Sequence, residues 1–376
     1  MLLYDVTSSY FEGEHNELAQ FGYNRDRKRG KRQIVIGLLC DILGEPLSIQ
    51  VFVGNTSDTK TVAAQIEKAK TRFGAAAVTF VGDRGMLKAR QIEDLCAQGF
   101  HYITAITKPQ VEKLLRIGVF QLSLFNNELA EVNTNTGLRY ILRRNPIRAN
   151  EVALSREEKF NSLNGKVEQK NAYLATHKRA DAATALAALK AYCTRLGLTN
   201  WGMLSLNERS IELKVDQEAK AKAAKLDGCY VLQTDLTALQ ASKTIVHDRY
   251  RDLALVERAF RSSKTVHLEM RPIYLHLAER TRAHALVVML AYKLIRHLAE
   301  CWKDFDLTVE EGLQRLDALC LIHVKAKNTS AYNQVPMPSQ DVAVLLDAAK
   351  VKLPHAIRAS GVIVSTKKKL QSERIS

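Results

Sequence analysis

The chain lacks a Cys-x-x-Cys pair, a secretory leader, a membrane-length apolar run and enough acid to balance its base. Each shortage removes a class of protein. Cys40, Cys96, Cys193, Cys229, Cys301 and Cys320 stand far apart, which argues against zinc ribbons and dithiol redox pairs. Most lie in apolar stretches, so buried thiols of a reducing compartment are expected. The longest apolar stretch, Ala285 to Tyr292, stops at Lys293, well short of the ~20 residues a membrane span needs. No signal peptide opens the chain, and a cytoplasmic location without membrane attachment fits. No solenoid-type repeat is present.

What is present is base. Among 376 residues, 55 Lys and Arg face 40 Asp and Glu, giving a net charge of +15 on an otherwise ordinary globular composition. A polyanion is the expected partner, with nucleic acid ahead of an anionic membrane surface.

Residues 1–106 alternate between strand and helix patterns, the signature of a mixed α/β layer. Leu2–Tyr10 reads as a strand. Ile34–Cys40 and Leu47–Val53 read as a hairpin turned at DILGEP. Thr59–Phe73 follows a Ser57-Asp58 cap signal as a helix. Ala76–Val81 reads as a buried strand, Leu87–Gln98 as a helix and His101–Ile106 as a strand. Residues 107–240 break this rhythm and read as a large α+β insertion. Within it Arg143–Lys190 is charged and mostly helical, and Trp201 is expected in a core or interface rather than against a base. The core pattern resumes over 241–325 with one helix at 248–264 and a long apolar helix, Glu279–Trp302, expected against the sheet. Residues 326–376 read as an extension ending in a loose Lys-rich tail.

Three acidic residues stand in distinctive surroundings: Asp5 in LLYDVTSSYFEG, Asp83 in VTFVGDRGM and Glu257 in YRDLALVERAFRSSK. Sites in open α/β sheets gather at the carboxyl ends of strands, which brings Asp5 and Asp83 together if their strands are neighbours. Tyr250, Glu257 and Lys264 are spaced seven apart and share a face of a continuous helix. Arg261 lies on the same side, with Leu255, Val256, Ala259 and Phe260 forming an apolar arc away from it. Three carboxylates brought to one place can hold two divalent cations for phosphoryl transfer. Singly, an Asp after a strand is more often a turn residue, and a Glu on a polar stripe is usually just solvated. It is the ordered set on a basic chain that carries the reading.

These residues resemble the DDE transposases of bacterial insertion sequences, the ribonuclease-H-like group with a Y-x2-R-x3-E-x6-K signature. Tyr250, Glu257 and Lys264 match it, while Leu253 stands at the Arg position. FGYNRDRKRGKRQIVIGLL (21–39), GDRGM (82–86), DGCYVLQTDL (227–236) and the run from Glu257 to His284 are also similar to the group. The resemblance implies a ribonuclease-H-like mixed sheet interrupted by an insertion before the catalytic-Glu helix. It implies two Mg²⁺, with Mn²⁺ able to substitute, held by Asp5, Asp83 and Glu257. Double-stranded DNA is the implied partner, as insertion-sequence ends and as target, with a homodimer forming on DNA in the bacterial cytoplasm. The group carries an end-binding domain ahead of its first aspartate, where this chain has four residues. A truncated copy with little preference for its own ends is therefore expected. An inactive DNA-binding remnant and another ribonuclease-H-like nuclease stand as alternatives.

Arg25–Arg32 has six basic residues in eight; Arg27, Arg29, Lys31 and Arg32 are expected to contact phosphate, with Tyr250, Arg261 and Lys264 beside Glu257. His267, His276 and His284 lack metal spacing. Asp252 lies about 140° round the helix from Glu257, outside the site.

Overall fold

The computed structural model describes residues 1–26, 28–74, 77–265, 268–324, 332–354 and 356–358. Two compact units divide the chain, Met1–Ala285 and Leu286–Ser376.

The first unit is built on an eight-stranded mixed sheet. β1 (Leu2–Tyr10), β2 (Gln33–Cys40) and β3 (Pro46–Phe52) form an antiparallel meander. The β2–β3 turn is held by Asp41, whose Oδ1 accepts from Leu43 N at 2.9 Å and Glu45 N at 2.8 Å. Every residue of β2 is buried, as a continuous apolar run enclosed on both faces requires. α1 (Asp58–Thr71) leads to β4 (Thr79–Gly82), which pairs parallel with β1. α2 (Ala89–Ala97) leads to β5 (His101–Ala105), parallel to β4. Tyr4 and Val6 of β1 pack with Val62, Ile66, Phe80 and Leu95 into the core beneath α1 and α2. This is the expected strand, hairpin, helix, strand, helix, strand order.

The sheet then extends further than the sequence pattern indicates. After α3 (Lys108–Arg116) come β6 (Ala130–Asn133) and β7 (Arg139–Arg144). α4 (Pro146–Thr176), α5 (Ala182–Leu196), the hairpin β8 (Gly202–Asn207) and β9 (Ser210–Val215), and α6 (Gln217–Ala224) follow. The chain returns at β10 (Cys229–Thr234), giving the order β3-β2-β1-β4-β5-β10-β7-β6. Thus 107–240 is not wholly an insertion, because three of its strands belong to the main sheet. The inserted part is the stretch between β7 and β10. It has its own core of Leu163, Val167, Leu174, Leu189, Cys193, Leu198, Trp201 and Ile211. Trp201 is 3% exposed and stacks on Phe160 with ring centroids 5.7 Å apart, as a core tryptophan.

α4 starts where Asn145 caps it, accepting from Ile147 N and Arg148 N, with Pro146 at the first helical position. Gly228 makes the return to β10 possible. Its φ is +71°, and a Cβ there would meet the backbone of Asn145 and Ala149. Arg156 of α4 closes the same junction on Asp227 at 2.6 Å. Gly228→Ala is therefore expected to cost more than about 2 kcal/mol in urea unfolding, since left-handed strain alone is of order 1–3 kcal/mol. An unchanged midpoint would show that the junction yields.

α7 (Lys243–Arg251), α8 (Leu253–Ser263) and α9 (Ala278–Cys301) follow, α9 running into the second unit. The single helix expected over 248–264 is two helices, broken at Asp252, which caps the end of α7 and the start of α8.

In the second unit, α10 (Val309–Leu316) is capped by a Thr308–Glu311 box. β11 (Ile322–Val324), β12 (Tyr332–Gln334) and β13 (Ala356–Arg358) form a small sheet, with α11 (Gln340–Ala348) between its last two strands. Trp302 is buried there, donating from Nε1 to Leu345 O at 3.0 Å. The extension thus has structure over its described part, whereas the Lys-rich end lies outside the described residues. No described helix is long and apolar enough to cross a membrane. Only Cys40 and Cys193 of the six free cysteines are buried, against the expectation for most of them.

Candidate active site

The parallel pairing of β1 with β4 aligns Leu3 with Val81. The same register carried two residues on sets Asp83 opposite Asp5, where β4 has just ended. Gly82 N-terminal to Asp83 packs under Leu87, and Met86 N and Leu87 N both bond Asp83 O, turning the chain sharply away from the sheet.

α8 crosses the same region of β1. Val256, Ala259 and Phe260 are buried, as the apolar arc predicts. Glu257 is exposed on the other side. It lines one cavity of about 710 Å³ with Asp5, Asp83 and Tyr250, and an adjoining cavity of about 320 Å³ with Asp5, Asp83, Arg25 and Asp58. Tyr250 OH donates to Asp83 Oδ1 at 3.2 Å. The three carboxylates named from sequence therefore share a cleft.

Electrostatics mark Asp5. Burial pushes its carboxyl up to about 7, and the nearby charges of Glu257 and Asp83 add to the rise. A hydrogen bond from Val6 N at 2.7 Å and the charge of Arg25 oppose it. Burial and the Asp83 charge raise the Tyr250 phenol as well, so it stays a donor. Three carboxylates with a surplus of negative charge and only oxygen donors suit hard divalent cations. Among the described residues, however, no three His, Cys, Asp or Glu side chains are drawn close enough to enclose an ion. The donor set fits Mg²⁺ in chemistry, while its side chains stand open.

The other named residues divide. Lys264 does not face the cleft. It caps the end of α8, and its Nζ donates to Thr7 Oγ1 at 2.9 Å, Ser8 O at 2.5 Å and Asp26 Oδ1 at 2.9 Å. Its side chain is 10% exposed and that of Asp26 is 2% exposed. The seven-residue spacing misleads because the helix breaks at Asp252 and ends before Lys264. Arg261 is exposed but lines neither cavity. Asp252 stays outside the site, paired with Arg249 at 3.1 Å. Arg29, Lys31 and Arg32 are exposed, Lys31 meeting Glu12 at 2.8 Å and Arg32 donating to Glu14 O at 3.1 Å. Arg27 and His267 lie outside the described residues.

Sequence reasoning missed Asp58, taken there only as a cap signal, and the cleft cations Arg84, Lys108, Arg148 and Arg251, and it did not separate Arg25 from the rest of its basic loop. Arg84 could have been found, since it stands inside GDRGM beside Asp83. Lys108 and Arg148 sit in the first turns of α3 and α4, which no local pattern ties to the site.

Residues 2–294 match the family described as the transposase DDE domain. The chain belongs to that family. Asp5 lies on β1 of its mixed sheet and Asp83 directly after the neighbouring strand β4. No curated protein matches the chain. Among solved structures it is similar to a piggyBac transposase in a synaptic complex with hairpin DNA. The identity is 7% and the TM-score 0.42, over 84% of this chain and 51% of that one. The chain thus spans about half the length of that transposase.

Proposed function

We propose that this chain is a transposase catalysing divalent-metal-dependent cleavage and strand transfer of duplex DNA in the movement of an insertion sequence. The observation that carries the reading is the gathering of Asp5, Asp83 and Glu257 in one cleft whose other lining includes Arg84, Lys108, Arg148 and Arg251. Carboxylates would ligate divalent cations, and guanidinium and ammonium groups donate to phosphate oxygens, so the cleft offers partners to both. Asp5, Asp83 and Glu257 would hold two Mg²⁺, or Mn²⁺, which when bound supply charge stabilisation to an in-line displacement. Tyr250 fixes one rotamer of Asp83 by donating to it, and the tight turn after β4 fixes its backbone. The test is incubation with supercoiled plasmid. Nicking in Mg²⁺ or Mn²⁺, absent in EDTA, is expected; an intact plasmid with both metals would count against the reading.

Affinity for duplex DNA should fall steeply with salt, because basic side chains release counterions from phosphate. Neutralising Arg27, Arg29, Lys31 and Arg32 together is expected to flatten the slope of log K against log salt by roughly 3–4 units. An unchanged slope removes this loop from the interface. Lys264→Met is expected to leave the slope unchanged, since the ammonium is spent on Asp26. Breaking that buried pair should instead lower stability by on the order of 3 kcal/mol. A slope reduced by about one unit would restore Lys264 as a phosphate contact.

A further inference from the structure

The basic loop's first arginine is placed unlike the rest. Arg25 lines the smaller cavity together with Asp5, Asp83 and Glu257. Its backbone N donates at 2.9 Å to the Oγ of Ser8, which is fully buried on the strand carrying Asp5. Its side chain is held by Asp58, whose two oxygens accept from Nη2 at 2.6 and 2.7 Å. Among the described residues, neither Nη1 nor Nε bonds an acceptor. The next residue locks the turn, because the Asp26 carboxylate accepts from Lys264 Nζ at 2.9 Å, Arg271 Nη1 at 2.8 Å and Tyr10 N at 3.2 Å. A guanidinium held at both ends beside three carboxylates, with donors to spare, is preorganised for an anion. A surface ion pair needs neither a buried anchor nor a locked turn.

We propose that Arg25 is a catalytic residue of the DNA-cleavage reaction, donating from its uncommitted N–H groups to a non-bridging oxygen of the scissile phosphate, with Asp58, Asp26 and Lys264 as positioning residues. The inference rests on the function proposed above. Carboxylates can only accept, so they leave the charge that grows on the non-bridging oxygens to metal ions and cationic donors. Arg25 is the cationic donor whose backbone and side chain are both fixed beside all three carboxylates. Asp58 sets the plane of the guanidinium. Lys264, bonded to Thr7, Ser8 and Asp26, ties the turn that presents Arg25 to the end of the helix that presents Glu257.

The test is single-turnover nicking of supercoiled plasmid in Mg²⁺ or Mn²⁺, with DNA affinity measured in EDTA and folding by thermal melting. Arg25→Ala should nick about 10²–10³-fold more slowly, the loss typical of one preorganised donor, while binding DNA within a few-fold of wild type. Guanidinium chloride in the tens of millimolar should restore at least about tenfold of the rate to Arg25→Ala, and nothing to Asp83→Asn, relative to a matched KCl control. Arg25→Lys, which keeps the charge and the Asp58 pair, should fall between. Should Arg25→Ala fail to fold, Arg25→Lys decides alone: tenfold slower supports the role, and wild-type rate overturns it. Arg25→Ala nicking at the wild-type rate overturns the proposal and leaves the metal-dependent function standing. So does a rate loss matched by lost affinity and not rescued by guanidinium. A wild type that nicks nothing overturns the function, and this role with it.

Discussion

Asp83→Asn is expected to reduce DNA cleavage by at least about a thousandfold while leaving DNA affinity within a few-fold of wild type. Metal-based charge stabilisation is worth several kcal/mol, and about 4 kcal/mol is about a thousandfold at 1.36 kcal/mol per decade. Removing one anionic ligand from a set of three takes most of that away. Asp83 stands at the turn after β4, opposite Asp5, and its rotamer is fixed by Tyr250. Asparagine keeps the shape and can still accept from Tyr250, so the surrounding fold has no reason to move. On the proposed reading, binding rests on cations elsewhere in the cleft and loop, which the substitution leaves untouched. Asp5→Asn and Glu257→Gln should behave alike. Nicking by Asp83→Asn within tenfold of wild type removes Asp83 from the chemistry.

Metal-free Asp5→Asn is expected to be more stable than wild type at pH 8. The folded carboxyl titrates at about 7 because it is buried and faces Glu257 and Asp83, against an ordinary value of 3.8. A carboxyl whose folded value is raised binds its proton more tightly in the folded state. The wild type therefore loses stability as pH rises from about 4 to 7 and is level above that. The full shift corresponds to a ceiling of roughly 4 kcal/mol, and each kcal/mol moves the melting temperature by about 2–4 °C for a unit of this size. Asparagine removes that slope. Mg²⁺ should reverse the order, because a divalent cation favours the ionised carboxylate and stabilises only a chain that binds it. Melting curves of both proteins at pH 5 and 8, with EDTA or Mg²⁺, read all of this. A wild type whose melting point is indifferent to Mg²⁺ at pH 8 would detach Asp5 from any metal site.

How much of this was legible in the chain depends on how local the cause is. β1 was readable from end to end as an extended run without Gly or Pro, and six of its nine residues are buried. The hairpin announced itself through Asp41, Gly44 and Pro46. Asp5, Asp83 and Glu257 were readable as a set because each stands in its own local pattern. β6, β7 and β10 were not read as parts of the same sheet. Arg143 and Arg144, the end of β7, read as the start of a charged helical stretch until their partners are known: β7 pairs with β6 on one side and with β10, some ninety positions later, on the other. The role of Lys264 was illegible for a related reason. Helical spacing assumes the helix continues, and the break at Asp252 with termination at Ser263 turns Lys264 inward to Asp26, 238 positions away in sequence. Asp58 read as a helix start and is one; that its carboxylate also meets Arg25 depends on how the loop after β1 returns.

The central claim is that Asp5, Asp83 and Glu257 together hold the cations that drive phosphoryl transfer. Crystals of the protein with DNA and Mn²⁺, measured at the manganese absorption edge, test it directly. Two anomalous peaks about 3.5–4 Å apart, each in contact with carboxylate oxygens of these three residues, are the expected result. Peaks elsewhere on the protein with none between Asp5, Asp83 and Glu257 would contradict it.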